Sequence, residues 1–211
     1  MLKIAAGFAF LCLSLLSLFA SPGTDEKIRN SKVLVTEVVL APNGIEKVAG
    51  GHPGVDVYWA PGSLQITRAR GAAQRIRVTE GQSLFEPAGS ISIKNTGQTD
   101  LHYTRVEFLG SGSSEEWRTT GLSPHYKLLI ENRYARVYDI RIPAHTIEPQ
   151  HTHRDRVVIC LSGATLKHRY ADGHEEKSTL ATGQTAWRRG GTHVGQNLGS
   201  TDLWAIAIEP K

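Results

Sequence analysis

The chain repeats itself at long range, and this repeat limits the folds open to it more than any other feature does. "GQS" at Gly81 matches "GQT" at Gly183, an offset of 102 residues (183 − 81), and "NTGQTDL" at Asn95 matches "NLGSTDL" at Asn197 at the same offset. A period this long is typical of a duplicated domain rather than of a solenoid unit. The sequence therefore predicts two similar domains in tandem.

Within each copy, short runs alternate between apolar and polar residues and are separated by turn signals. Alternation with a period of two is the pattern of a β-strand, and no segment sustains the period of a helix. The runs include "KVLVTEVVL", "LQITRA" and "TRVEFLG" in the first copy and "RVYDIRI", "DRVVICL" and "LWAIAIE" in the second. Because each copy holds many short strands in about 80 residues, we expect an all-β fold built of small barrels or jelly rolls.

The N-terminal segment has the pattern of a secretory signal peptide, because Lys3 is followed by a long apolar run that ends near Ala20. We predict a signal peptide over 1–23, with cleavage after Ala20 or after Gly23. The apolar run is shorter than the roughly 20 residues that a membrane-spanning helix needs. The sequence thus predicts a secreted or periplasmic protein without stable membrane insertion.

Net charge and cysteine content bear on the partners of the protein and on the source of its stability. The formal net charge of +4 is too small to favour a nucleic-acid partner. Once the signal peptide is removed, Cys160 is the single cysteine, so no intramolecular disulfide can form. Stability must therefore come from the hydrophobic core.

The second copy resembles a cupin, a double-stranded β-helix barrel of the jelly-roll type. The cupin pattern has a first motif with His-x-His, a glutamate and a later glycine, and a second motif with a glycine, a histidine and an asparagine. "HTIEPQHTHRDRVVICLSG" carries the first motif here, and "GQTAWRRGGTHVGQN" carries the second. The first copy is degenerate, because the alignment places Gly50, His52 and Ile91 opposite the three motif histidines. The whole chain therefore resembles a bicupin.

This resemblance implies a domain organisation. After the signal peptide we expect a degenerate N-terminal barrel over 30–110, a linker over 111–126 and a metal-binding C-terminal barrel over 127–211. The segment "SGSSEEWRTTGLSPHYK" between the two copies is polar and rich in Gly and Ser, as is typical of a linker. Cupins commonly pair through their sheets, which favours a homodimer.

Three histidines are the candidate metal ligands. His151 and His153 lie two residues apart, so on a strand their side chains point to the same face. The resemblance implies that His193 approaches them from a facing strand. Three protein ligands that leave positions open are typical of a catalytic metal site, and the ion could be iron, manganese, nickel, copper or zinc.

The chain departs from the cupin pattern at the motif glutamate. Counting back from the motif glycine places that position on Arg156, whereas strand parity places it on Val157. Asp155 is the nearest carboxylate and could serve as a fourth ligand or as a group that orients a ligand. His145 replaces a motif glycine, and His145 and Glu148 could also approach the site.

Two classes of function remain open from the sequence. The first is a metal-dependent enzyme that acts on a small molecule, for which the cupin resemblance implies dioxygenase-like, decarboxylase-like or isomerase-like chemistry. The second is a non-catalytic module that binds a small ligand or has a structural role. Arg188 and Arg189 could hold a substrate carboxylate, although such arginine pairs are more often solvated.

Overall fold

The computed structural model describes residues 22–114 and 122–211, which we call the N-terminal and C-terminal halves. In both halves the regular secondary structure consists of β-strands. Residues 1–21 of the predicted signal peptide and residues 115–121 of the predicted linker lie outside the described residues. No helix in the described part of the chain has the length and hydropathy needed to cross a bilayer.

The strands follow one another in the same pattern in the two halves. The strands of the N-terminal half are β1 (Gly23–Arg29), β2 (Val33–Leu40), β3 (Ile45–Gly51), β4 (Gly54–Tyr58), β5 (Gly62–Arg68), β6 (Gln74–Val78), β7 (Ser83–Glu86), β8 (Gly89–Asn95) and β9 (Leu101–Phe108). The strands of the C-terminal half are β10 (Tyr126–Glu131), β11 (Ala135–Ile142), β12 (His151–His153), β13 (Arg156–Ser162), β14 (Ala164–Tyr170), β15 (Glu175–Leu180), β16 (Thr185–Arg188), β17 (Gly191–Asn197) and β18 (Leu203–Pro210).

Each half pairs a five-stranded sheet with a four-stranded sheet, and the two halves have the same strand order. The N-terminal half has the orders β1-β2-β9-β4-β7 and β3-β8-β5-β6. The C-terminal half has the orders β10-β11-β18-β13-β16 and β12-β17-β14-β15. The predicted all-β fold of two tandem jelly-roll barrels is thereby confirmed.

The predicted domain limits do not coincide with the ends of the strands. Strand β1 begins at Gly23, before the predicted start of the N-terminal barrel at residue 30, and pairs with β2. Strand β10 begins at Tyr126, the last residue of the predicted linker. The limits at 30–110 and 127–211 stay predictions.

The core of the described residues consists of three apolar layers. One layer fills each half between its two sheets, and the third lies where the five-stranded sheets of the two halves meet. Residues of this shared layer come from both halves: Val33, Val35, Val55, Val57, Val106, Phe108, Ala135, Val137, Val157, Ile159, Leu161, Ile206 and Ile208. The two barrels therefore bury one face of each against the other.

The strands next to the shared layer are buried on both faces, which explains their nearly unbroken apolar sequences. Along β13, Val157 and Ile159 face the shared layer, whereas Val158 and Cys160 face the interior of the C-terminal half. A short apolar run is the pattern expected of such a fully buried strand. Burial also raises the pKa of the Cys160 thiol to about 11.

The repeated asparagine closes the same turn in both halves. The side-chain amide of Asn197 donates to the carbonyls of Ile142 and Thr201 at 3.1 and 2.9 Å, and its Oδ1 accepts from Gly199 at 2.9 Å. Asn95 makes the equivalent three bonds in the N-terminal half. The matching motifs of the sequence therefore mark a turn that both barrels need.

A buried charged network fills the interior of the N-terminal half. Arg105 donates from Nε and Nη2 to the two oxygens of Asp56 at 2.8 and 2.9 Å, and from Nη1 to Glu46 at 2.8 Å. The hydroxyl of Tyr103 also donates to Glu46. Every member of this network is buried, so each charge has lost its hydration and depends on its partners to compensate for that loss.

We expect Arg105→Ala to lower the free energy of unfolding by about 3–5 kcal/mol, because it leaves the buried carboxylates of Asp56 and Glu46 without their cation. Urea unfolding followed by tryptophan fluorescence measures the loss. Arg75→Ala is the matched control, since Arg75 lies on β6 and is exposed. A loss within about 1 kcal/mol of the control would show that the network contributes little to stability.

Candidate metal centre

Two neighbouring strands bring the three predicted histidines together. His151 and His153 lie at the ends of the short strand β12 and are both buried, whereas Thr152 between them is exposed. Strand β12 pairs with β17 in a register that places His193 directly opposite His151. Strand parity and cross-strand pairing together direct the three imidazoles into the interior of the C-terminal half.

The three imidazoles are close enough to share one ion. Each offers a ligand atom, and these atoms all lie within 4.8 Å of one another. The Nε2 atoms of His151 and His153 are 2.9 Å apart. Three nitrogens that each lie ~2.1 Å from one metal ion are separated by roughly 3 Å or slightly more, so small side-chain movements would complete the coordination.

Neighbouring groups orient two of the rings. Nδ1 of His151 donates to the carbonyl of Pro149 at 2.7 Å, which leaves the lone pair on Nε2. The hydroxyl of Tyr126 lies 3.1 Å from Nε2 of His153. Nδ1 of His153 lies 4.0 Å from Oε1 of the buried Glu209, which is too far for a hydrogen bond. The bond to Pro149 thus fixes the tautomer of His151 in the form that binds a metal through Nε2.

The surroundings of the site keep His153, His168 and His193 neutral. Burial, with the nearby Arg156 guanidinium, lowers the pKa of His153 far below its usual range. Burial and the neighbouring His168 lower the pKa of His193 to about 3, and burial and Arg156 lower the pKa of His168 to about 4. Neutral imidazole is the form that coordinates metal ions. The three imidazoles, the tautomer of His151 and the neutral state of His153 and His193 thus fit a divalent transition metal.

His153 and His193 line a cavity of about 290 Å³ inside the C-terminal half, and the third histidine, His151, lies beside them. Polar residues line the part nearest the histidines, among them Tyr126, Glu148, Arg156 and His168. Apolar side chains line much of the rest: Ile140, Ile142, Val158, Leu166, Leu180, Leu203 and Ala205. A small molecule in this cavity would contact both the histidines and an apolar wall.

The cavity exists because the C-terminal half has small residues where the N-terminal half has large ones. The strand registers make Tyr103 and Arg105 of β9 the counterparts of Ala205 and Ala207 of β18. Both alanines are buried in the interior of the C-terminal half. The N-terminal barrel is thus filled by its own side chains, whereas the C-terminal barrel leaves room for a ligand.

The alanines of β18 also leave a buried carboxylate of the C-terminal half without a hydrogen-bond donor. Glu148 is only 4% exposed, and its Oε1 has no hydrogen-bond partner among the described residues. Its counterpart by register is Glu46, which is satisfied by Arg105 and Tyr103. The alanines of β18 cannot replace those donors, so Glu148 faces the cavity with an unused acceptor.

Gly195 makes room for this carboxylate beside the histidines. A Cβ atom at Gly195 would lie 2.7 Å from Oε2 of Glu148 and 3.8 Å from Cε1 of His151. The backbone amide of Glu148 also donates to the carbonyl of Gly195 at 2.8 Å. Glycine at this place therefore lets Glu148 approach the ring of His151.

The structure does not bring every predicted site residue to the histidines. Oδ1 of Asp155 accepts from the amide of Gly190 at 2.8 Å, and Oδ2 lies 3.4 Å from Nζ of Lys32. The group of mutually close ligand atoms comprises the three histidines without Asp155. His145 is exposed and keeps a left-handed φ of 62°, which explains why the cupin pattern has a glycine there.

Arg156 is the residue that occupies the place of the motif glutamate. Val157 faces the shared layer between the two halves, whereas Arg156 lines the cavity. Strand parity counted from His153 predicted Val157, but residues 154–155 interrupt the strand between β12 and β13, and the packing of β13 agrees with the count from the motif glycine, which gave Arg156. A guanidinium therefore stands where the cupin pattern has a carboxylate.

Tyr126 and His168 belong to the site but were missed in the sequence. The ring of His168 lies 4.3 Å from that of His193, measured between centroids. Parity with the buried Leu166 on β14 is a signal that could have identified His168. Tyr126 lies at the start of β10 and is the last residue of the predicted linker, and no periodic pattern marks it.

The N-terminal half has no equivalent triad in its described residues. Strand β8 places Ile91 at the position of His193, and its partner on β3 is Val48. The sequence alignment had set Gly50 opposite His151, but the register makes Val48 its counterpart. The sequence alignment leaves this barrel one imidazole, His52, at the ligand positions, and the strand register leaves none, because it makes Gly51 the counterpart of His153.

Comparisons of sequence and of structure give different results. No family model matches the sequence, and no curated protein matches it either. Among solved structures, AerE from Microcystis aeruginosa aligns with a TM-score of 0.63 at 15% identity, covering 90% of this chain and 98% of that one. The cupin 2 conserved barrel domain protein from Leptotrichia buccalis aligns with a TM-score of 0.58 at 13% identity, covering 93% and 92%.

Oxalate decarboxylase from Bacillus subtilis also aligns, with a TM-score of 0.62 at 13% identity, covering 85% of this chain and 68% of that one. At such low identity these similarities establish a shared fold. The chain therefore has the cupin fold in its two-barrel form, as the motif resemblance implies.

We expect the metal-free protein to lose stability as the pH falls from 7 to 5, and His193→Gln to reduce this loss. An unfolded histidine takes up a proton near pH 6.5, whereas His193 in the folded chain has its pKa lowered to about 3. The unfolded state therefore binds more protons in this window, and acid favours it by about 2 kcal/mol for His193 alone.

Urea unfolding with a chelator at the two pH values measures this effect. His174→Gln is the matched control, because His174 is exposed. If His193→Gln showed the same pH dependence as the unmodified chain, His193 would not be held neutral by burial.

Proposed function

We propose that this bicupin-fold protein binds one divalent transition metal ion in its C-terminal barrel through His151, His153 and His193. The observation that carries the proposal is the convergence of three buried imidazoles, two of which line the cavity. Asp155 is not included among the ligands, because Gly190 and Lys32 hold its carboxylate. The metal itself stays open, although Bacillus subtilis oxalate decarboxylase, which shares the fold, has Mn(II) centres.

We propose further that the protein is a metalloenzyme that acts on a small molecule. Three protein ligands leave coordination positions open, which is typical of catalytic rather than structural sites. When bound, the metal would supply Lewis-acid chemistry, or dioxygen chemistry if it is iron. Glu148 faces the same cavity with an unpaired oxygen and can accept a proton from a bound molecule.

Solved structures that share this fold, taken together with the residues that line the cavity, indicate which class of reaction to test first. Several solved structures with this fold are oxalate decarboxylases, which supports decarboxylase-like chemistry as the first class to test. Dioxygenase-like and isomerase-like chemistry are the other classes. A non-catalytic module that binds a small ligand is the alternative. A purely structural role is less well supported, because Glu148 and Arg156, which line the cavity, have a buried Oε1 and a buried Nε without hydrogen-bond partners among the described residues.

We also propose that the protein acts outside the cytoplasm, as a secreted or periplasmic protein. This proposal depends on the apolar N-terminal run, which precedes the described residues.

We expect purified protein to contain about one equivalent of a transition metal, and the double variant His151→Ala/His153→Ala to contain almost none. Removal of two of three imidazoles leaves a single ligand, which cannot retain the ion through purification. Inductively coupled plasma mass spectrometry gives both the content and the identity of the metal.

His52→Ala is the matched control, since His52 is an exposed histidine of the N-terminal half. Protein that is metal-free as purified and cannot be loaded with iron, manganese, nickel, copper or zinc would contradict the proposal. Equal metal content in the double variant would show that other residues bind the ion.

We expect the intact mass of protein recovered from the periplasm or medium to correspond to a chain that begins at Ser21 or at Thr24. Signal peptidase removes the segment before those residues, and the two possible products differ in mass by three residues. A full-length mass with intracellular retention would show that the N-terminal run is not a cleaved signal.

A further inference from the structure

We propose that the cavity of the C-terminal barrel takes a small organic anion with an apolar body, and that Arg156 is the group that binds its carboxylate. This inference rests on the proposed function and names the class of molecule that the site accepts. Four observations support it: the missing partners of Arg156, its position in the barrel, the charge of the cavity wall and the apolar lining.

Arg156 lacks the partners that a buried guanidinium needs. Its Nε is buried without a hydrogen-bond partner among the described residues. Its Nη1 lies 3.3 Å from the carbonyl of Arg154 and 3.5 Å from that of Arg189, both long for such bonds. Arg105 of the other half, by contrast, is held by two carboxylates at 2.8 Å. An arginine kept charged and under-bonded at a cavity wall is suited to a carboxylate, which fits its fork of donors.

The position of Arg156 is specific to the barrel that has the histidines. The counterpart of Arg156 in the N-terminal half is Gly54, where a Cβ atom would lie only 2.8 Å from the carbonyl of Val106. The guanidinium is close enough to lower the pKa of His153 and of His193. A carboxylate on Arg156 would therefore lie near the open positions of the metal site and supply the negative charge that the absent motif glutamate does not.

The charge of the cavity wall favours an anion. The cavity is lined by the arginines Arg156, Arg188 and Arg189 and by the carboxylates Glu148 and Glu176. A divalent ion on three neutral histidines adds two positive charges to this excess. At the same place in the N-terminal half, Arg68 and Glu86 pair at 2.7 Å and neutralise each other.

The remainder of the cavity fits an apolar body of limited size. Its volume of about 290 Å³ is just below the roughly 300–1,000 Å³ that is usual for small-molecule sites. The apolar residues of its lining include Ile140, Leu166 and Leu180, which come from three different strands. A branched or aromatic acid of about ten non-hydrogen atoms would bury its apolar part there while its carboxylate meets Arg156.

The test uses the full chain and a pair of probes, 2-hydroxy-4-methylpentanoate and its neutral amide, which differ in charge but hardly in shape. We expect calorimetry to show that metal-loaded protein binds the acid about tenfold or more tightly than the amide. Arg156→Gln should abolish this preference, and Arg156→Lys should retain only part of it, because an ammonium lacks the fork. Arg169→Gln is the matched control, since Arg169 is an exposed arginine of β14.

The outcomes separate this inference from the proposed function. Metal content is measured first in every variant, so absence of metal from the unmodified chain refutes the proposed function alone. The probes are then titrated into the metal-free chain, where the acid-to-amide ratio still tests Arg156. An unchanged ratio in Arg156→Gln, or no preference for the acid in the unmodified chain, overturns the inference. Arg156→Gln should melt no lower than the unmodified chain, because it removes an under-bonded buried charge; if it fails to fold, Arg156→Lys decides.

Discussion

The apolar layer between the two five-stranded sheets is the contact on which the rest of the structure depends. It buries one whole face of each barrel, so the central strands β4, β9, β13 and β18 have no solvent-facing side. In these strands one set of alternate residues must be apolar for the shared layer, and only the other set is available to the barrel interior. The residues of these strands that make the two interiors different, such as Arg105 and Arg156, therefore alternate with the residues that face the shared layer.

The two barrels have the same strand order, but the interior of one is filled by side chains and the interior of the other contains a cavity. The N-terminal barrel fills its interior with tyrosines and a closed set of charges, in which each carboxylate meets the guanidinium of Arg105. The C-terminal barrel has alanines at the matching positions of β18 and leaves Oε1 of Glu148 and Nε of Arg156 without hydrogen-bond partners. Buried polar groups without partners reduce stability, and they persist in proteins mainly where they bind something. The contrast within one chain thus identifies the half that has the site.

Periodicity and the repeat were sufficient to predict the all-β fold and the two tandem barrels, and strand parity placed His151 and His153 on one face. The approach of His193 was predicted only through the resemblance to cupins, because it depends on how the barrel closes. The partners of Asp155 could not be predicted, since they depend on Lys32 of the other half and on a backbone amide distant in sequence. Parity counted from His153 pointed to Val157 instead of Arg156, because residues 154–155 interrupt the strand between β12 and β13 and the alternation does not continue across them. Tyr126 was missed because it reaches His153 from an edge strand after a segment without periodicity.

Cys160 has a consequence for how the chain reaches its folded state. If the chain folds in an oxidising compartment, this thiol is open to mixed-disulfide formation until β13 packs between its two layers. Afterwards its burial, with a pKa of about 11, leaves almost no thiolate to react. Oxidative damage at this position would then report on the time that molecules spend unfolded rather than on the chemistry of the mature barrel.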